Sequence, residues 1–203
     1  MKKSNKSSKK SNTQRISYPK ILVFGSLIGL IASFWQAAER IQMLKFPGEA
    51  LSCNLNPVVD CGAVLGNKLS AVFGPPNAFI GIVIFTMLFA LGLQRLSGGT
   101  WTSFVAKFVA LFSKIIMLFS FWFFWVSLYS IGKVCIFCLF IWTVSMPIGI
   151  YGVKDYLENH SDLPGYQTKV RDFLSKYHFS LLVAVYAVLV TLFFLKFSDY
   201  YFG

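Results

Sequence analysis

Four cysteines are the side chains of this sequence whose type and spacing can do chemistry. Cys53 and Cys61 have seven residues between them, in Cys53-Asn54-Leu55-Asn56-Pro57-Val58-Val59-Asp60-Cys61. Cys135 and Cys138 form a C-x-x-C in Cys135-Ile136-Phe137-Cys138. Paired thiols can lock a fold, exchange disulfides or ligate a metal. The gap in the first pair suits short zinc-ligand spacings poorly, and neither His160 nor His178 falls on the cysteine side, so no metal site is expected. A C-x-x-C at a helix start has free backbone N–H groups and the positive end of the helix dipole beside it, and both stabilise a thiolate. The thiolate is the attacking species in disulfide exchange. Lys133, two residues before Cys135, is a further cation that can favour it. Two readings follow. In one, the cysteines make structural disulfides of a small membrane transport or interaction protein. In the other, they form a relay: an exposed, mobile loop pair exchanges electrons with a soluble partner, and the helix pair with something inside the membrane.

The elements that must position these thiols are membrane spans. Hydrophobic residues make up 56% of the 203, and charged residues 13%, against roughly 25% charged in a soluble domain. Wholesale disorder and an ordinary soluble fold are both excluded. Five stretches free of Asp, Glu, Lys and Arg approach the ~20 residues a span needs: 21–38, 75–94, 115–132, 134–153 and 177–195. The third extends back to near Phe104, with Lys107 and Lys114 snorkelling at its start. All five read as helices, since an open sheet edge cannot face lipid. The fold class expected is an all-α integral membrane protein, a four-helix bundle core plus a fifth transmembrane helix.

Orientation follows from Lys and Arg in short loops. The tail carries Lys2, Lys3, Lys6, Lys9, Lys10, Arg15 and Lys20, and segment 154–176 carries Lys154, Lys169, Arg171 and Lys176. Both belong in the cytoplasm, and five crossings agree with that. The loop 39–74 has no positive excess and lies outside, as does the turn 130–133. Both cysteine pairs therefore meet the same, oxidising membrane face. Residues 1–19 read as a basic disordered tail, 20–153 as the core, 154–176 as a cytoplasmic loop, and 177–203 as the fifth helix with a short outward tail. The first span reads as an uncleaved helix, because the segment after it makes a poor signal-peptidase site. The net charge of +11 is explained by topology, and no nucleic-acid partner is expected. The aromatic run from Phe119 to Tyr129 reads as an interfacial belt, and Gly25 with Gly29 as a close-packing face.

These features resemble the vitamin K epoxide reductase family in its bacterial form. The resemblance covers about residues 20–153. It rests on the order of the two pairs, the segment Cys61-Gly62-Ala63-Val64-Leu65, the run Phe73-Gly74-Pro75-Pro76-Asn77 followed by Gly81, and the C-x-x-C at the start of the fourth helix. It implies a quinone (ubiquinone or menaquinone) held in the four-helix bundle. Cys138 would react with the quinone, Cys135 would form a transient disulfide with Cys61, and Cys53 would exchange with a thioredoxin-like protein. Asn77 matches a family asparagine that hydrogen-bonds a quinone carbonyl; its plain alternative is a helix cap. Two positions depart from the pattern. Asn67 stands where the family often has Ser or Thr, and Trp142 where many members have Tyr. No fused thioredoxin-like domain follows the fifth helix, so the resemblance implies a separate partner. The expected activity is that of a bacterial inner-membrane enzyme, cysteine pairs facing the periplasm, that reoxidises this partner and reduces quinone. A vitamin K epoxide or quinone reductase proper is the alternative, ranked lower because of Trp142.

Overall fold

A computed structural model describes residues 5–49, 51–159, 165–198 and 200, with side chains from Tyr18 onward. The elements in chain order are α1 (Asn5–Lys45), α2 (Cys61–Gly66), a 3-10 turn (Lys68–Ala71), α3 (Asn77–Leu96), α4 (Ser103–Trp125), a π-helical turn (Val126–Ile131), α5 (Ile136–Asn159) and α6 (Gly165–Lys196). Five segments are long and apolar enough to cross a membrane: Tyr18–Lys45, Asn77–Leu96, Ser103–Ile131, Ile136–Asn159 and Gly165–Lys196. Among the described residues the sole strand pairing is one bridge, Val59 to Val134. The chain is an all-α bundle with an added span, as its composition requires.

α1 packs along both α3 and α5, α4 packs on α5, and α6 leans on α5. Only 6% of the apolar window of α6 is buried, so this helix lies outside the core. Glycine explains the closeness of α1 to its neighbours. A Cβ on Gly29 would sit 2.5 Å from the Phe85 ring of α3, and one on Gly25 would meet Ile148 of α5 at 3.0 Å. The small face expected at Gly25 and Gly29 therefore serves two different partners.

The helices run further than the apolar stretches. Residues 154–159 continue α5 and 165–176 belong to α6, so most of the expected loop 154–176 is helical. The physical reason is that charge marks where hydrocarbon ends, and a helix can continue into water. The Lys154–Glu158 pair, 3.0 Å apart one turn along α5, supports that continuation. At the other end of the chain, the backbone of α1 begins at Asn5, inside the stretch read as a disordered tail. Residues 1–4 and the side chains before Tyr18 lie outside the described residues, as does His160. His178 packs edge-on to Tyr151 at 5.3 Å between ring centroids.

α4 does not end in an ordinary turn. Its last residues widen into the π turn, and Gly132, at φ 70°, closes it in the left-handed region, which glycine adopts without the Cβ penalty. Ser127 anchors the result: its carbonyl accepts from the Lys133 amide at 3.2 Å, and its hydroxyl donates to the Lys133 carbonyl at 2.6 Å. This delivers Val134, in its bridge to Val59, and then Cys135 to the mouth of α5.

Candidate active site

The loop between α1 and α2 brings the first cysteine pair to the second. Asn56 Oδ1 accepts from the amides of Val58 and Val59, at 2.9 and 2.7 Å, and folds the loop tip. Asn54 Oδ1 accepts from Gly62 N at 3.1 Å, and Asp60 caps α2 by accepting from Ala63 N at 3.0 Å. Cys61 is thus fixed as the first residue of α2 and forms a disulfide with Cys53, Cα atoms 5.7 Å apart. A strap ties this loop to the C-x-x-C segment. Asp60 N donates to Val134 O at 3.0 Å, Val134 N donates to Val58 O at 2.9 Å, and Lys133 Nζ donates to the Pro57 carbonyl.

The strap corrects two expectations. The loop pair is not exposed: Cys53 is 3% and Cys61 0% accessible, because the bridge to Val134 presses the disulfide into the apolar cluster with Val64, Leu128 and Cys135. And the Lys133 ammonium serves the loop, not the Cys135 thiol.

Cys135 and Cys138 are free thiols, both buried. Cys135 sits one residue before α5, and its carbonyl accepts from Leu139 N at 3.2 Å. Its thiol is held below the ordinary range, first by a hydrogen bond from Cys138 and then by the amides of Cys138 and Phe137, against burial and the nearby Glu39 carboxylate. The amide contributions are of the kind a helix start supplies, and the larger one comes from the neighbouring thiol. α1 supplies a contact that the sequence reading did not anticipate: Gln36 Nε2 donates to Cys138 Sγ at 3.2 Å. Glu39, one turn on and 4% exposed, accepts from the Ser52 hydroxyl. The signal available was a polar trio, Gln36, Glu39 and Arg40, on one helical face at the end of a span.

Cys138 opens onto a cavity of about 300 Å³ enclosed by α1, α3, α4 and α5, whose lining includes Asn77, Trp142, Phe119 and Phe123. The two non-cysteine candidates and one candidate thiol thus meet in one chamber. Its wall is apolar, yet three polar atoms in it are buried without partners among the described residues: Ser33 Oγ, Arg40 Nε and Asn77 Oδ1. Buried polar atoms rarely go unpaired, and an apolar pocket with a few convergent polar groups is the usual form of a small-molecule site. Asn77 is not a side-chain helix cap; Pro76 holds the cap position. Asn77 Nδ2 donates to Leu69 O at 3.1 Å, which fixes the amide orientation and leaves one N–H and the oxygen for a ligand.

The two departures from the family pattern resolve differently. Asn67 caps the 3-10 turn, accepting from Leu69 N at 2.9 Å, and buried Ser70 lines the cavity. Trp142 packs edge-on against Phe124 at 5.0 Å and also lines a second hollow of about 260 Å³ toward α6. The aromatic run divides by face. Phe121, Trp122 and Trp125 point outward, while Phe123 and Phe124 are buried.

A loop disulfide held against a buried dithiol at the wall of an apolar chamber can pass electrons by exchange. No curated protein matches the sequence. Residues 20–153 match the family model described as Vitamin K epoxide reductase family, the span that contains all four cysteines and every cavity residue named above. The fold and the cysteine pairs support an oxidoreductase-type role, and the chain belongs to the vitamin K epoxide reductase family.

Proposed function

We propose that the protein is a membrane thiol–disulfide oxidoreductase that reoxidises a separate thioredoxin-like protein and passes the electrons to a quinone, ubiquinone or menaquinone, in support of disulfide bond formation. The observation that carries this reading is the chamber. Cys138 borders it, Asn77 and Trp142 line it, and unpaired polar atoms of Ser33, Arg40 and Asn77 sit in its apolar wall. The Ser33 hydroxyl, the Arg40 Nε–H and the remaining N–H of Asn77 can donate to the two oxygens of a flat apolar ring, Asn77 Oδ1 can accept from a hydroxyl of its reduced form, and a bound quinone would supply a two-electron acceptor there.

Each turnover moves two electrons. Partner thiols reduce Cys53–Cys61, with Cys53 as the sulfur attacked. With Cys135 and Cys138 in the disulfide form that two-electron oxidation by the acceptor produces, Cys61 attacks Cys135, the Cys135–Cys138 bond breaks and Cys138 is freed to face the acceptor. Cys53 then attacks Cys61, which re-forms Cys53–Cys61 and releases Cys135. Because the loop pair is buried, exchange with the partner requires the strap at Val134 to open first. Positive charge in the tail and in 154–176 favours a cytoplasmic N-terminus, which puts both pairs on the periplasmic side of a bacterial inner membrane.

The test is direct. Purified protein is mixed with reduced thioredoxin-like protein and a water-soluble quinone, and quinone absorbance is followed. The expected result is one quinone reduced per two thiols, and none with Cys138→Ala, which still inserts. No loss of quinone above background, with all four cysteines intact, refutes the reading.

A further inference from the structure

Gln36 is 6% exposed, sits in the membrane-spanning part of α1, and spends its amide on one atom, Cys138 Sγ, at 3.2 Å. It also lines the cavity. α1 ends and α5 begins at the cysteine end of the bundle, so the two helices run antiparallel. Three residues forward from Gln36 and three back from Cys138 rise equally, which brings Glu39 to the level of Cys135. One helix face thus presents a neutral donor to one sulfur of the C-x-x-C and a carboxylate near the other.

We propose that Gln36 is a catalytic residue of the exchange, its amide N–H receiving the negative charge that arrives on Cys138 when the Cys135–Cys138 disulfide opens. The inference rests on the relay reading above. In the step concerned, Cys61 holds the electron pair left on it when the partner's sulfur attacked Cys53, and its thiolate attacks Cys135 Sγ. The Cys61–Cys135 bond forms, the Cys135–Cys138 bond breaks, and the electron pair leaves on Cys138 as a thiolate. The rate of such a step depends on how well the leaving sulfur carries charge. Cys138 is 3% exposed, so water contributes little. Cys135, which bonds to it in the dithiol form, is occupied by Cys61 at this stage. Gln36 Nε2 is then a donor already in place on this sulfur. An amide donates at every pH and brings no charge that would trap the thiolate, and a thiolate, which only accepts, fixes the amide with its NH₂ toward sulfur. Glu39 disfavours the reverse choice, in which Cys135 would leave with the electron pair. Together they set which sulfur is attacked and which departs.

The experiment uses the full-length protein, quinone-free, in a Cys53→Ala background. There Cys53 cannot draw Cys61 out of the Cys61–Cys135 disulfide, and in that form Cys138 is the one free thiol. Its alkylation by N-ethylmaleimide is followed by mass across pH. The titratable and charged groups in its surroundings are Glu39 and Arg40 on α1, which both variants retain, and Cys135, which is bonded. A charge-assisted hydrogen bond predicts that Gln36→Met slows alkylation at neutral pH by about 10- to 100-fold, with the same limiting rate at high pH. Loss of packing alone would change the limiting rate instead. If Gln36→Met does not insert, Gln36→Leu, which also lacks a donor and brings no charge, is expected to show the same slowing. Rates within twofold of the parent at every pH, with Cys61–Cys135 formed, overturn the role of Gln36. Failure of the Cys53→Ala parent to yield any Cys61–Cys135, even once Cys138 is trapped by alkylation, overturns the relay, whatever Gln36 does.

Discussion

Lys133→Met tests whether the strap governs access to the first disulfide. The loop is held over its own sulfur atoms by two backbone bonds, at 2.9 and 3.0 Å, and by Lys133 Nζ on the Pro57 carbonyl. Methionine keeps the apolar stem and removes the charged donor. A hydrogen bond to a charged group contributes roughly 1.5–3 kcal/mol when buried; Lys133 is partly exposed, which reduces this to about 1 kcal/mol. The open population of the loop then rises about fivefold. With Cys53 and Cys61 both inaccessible, dithiothreitol reaches them only in the open form. When closing is fast, the reduction rate tracks the open population. The assay blocks Cys135 and Cys138 with maleimide, adds dithiothreitol, and counts newly tagged thiols with time. The expected outcome is about fivefold faster reduction in Lys133→Met, and equal rates for both proteins after denaturation in detergent. An unchanged or slower rate in the folded protein, with equal denatured rates, refutes the strap as the barrier.

Three further outcomes are expected. Asn77→Ala removes a chamber donor and the partner of the Leu69 carbonyl, so the KM for quinone should rise about 3- to 10-fold and thermal stability in detergent should fall; a lower melting temperature with unchanged KM would leave Asn77 as a structural tie alone. Gly29→Ala places a methyl 2.5 Å from the Phe85 ring and should destabilise by about 1–3 kcal/mol, visible as an earlier thermal transition; an unaltered melt would contradict the packing of α1 on α3. In the reduced protein the depressed Cys135 thiol should alkylate before Cys138 at neutral pH. Its rate should fall as the pH drops through that lowered value, and peptide mass mapping that finds Cys138 modified first would reverse the assignment.

The spans were legible because about twenty consecutive apolar residues have few other uses, and the meeting of the two pairs was legible because charge bias and span count both place them at one end. The ends of α5 and α6 were not, since hydropathy reports the edge of hydrocarbon and is silent about helix beyond it. Burial of Cys53 and Cys61 was also hidden. It depends on Val59 pairing with Val134 across 75 residues of chain, and nothing in a seven-residue spacing announces that. Asn77 and Trp142 were reached through motif resemblance, and the structure brings them to one chamber with Cys138. Gln36 escaped because a single glutamine near a span end looks interfacial until the register of α1 on α5 is known. Lys133 shows the converse error: adjacency in sequence suggested a partner for Cys135, and the backbone turned the side chain elsewhere.

The sealed loop disulfide bears on leakage. A conduit that joins a cell's thiol traffic to its respiratory pool would be drained by any abundant small thiol able to touch its sulfur. Enclosing that sulfur insulates the conduit, because a molecule with no surface to pry the loop away finds nothing to reduce. Under the proposed function, selectivity would then come from a mechanical lock, and throughput would be capped by how often the lock is turned.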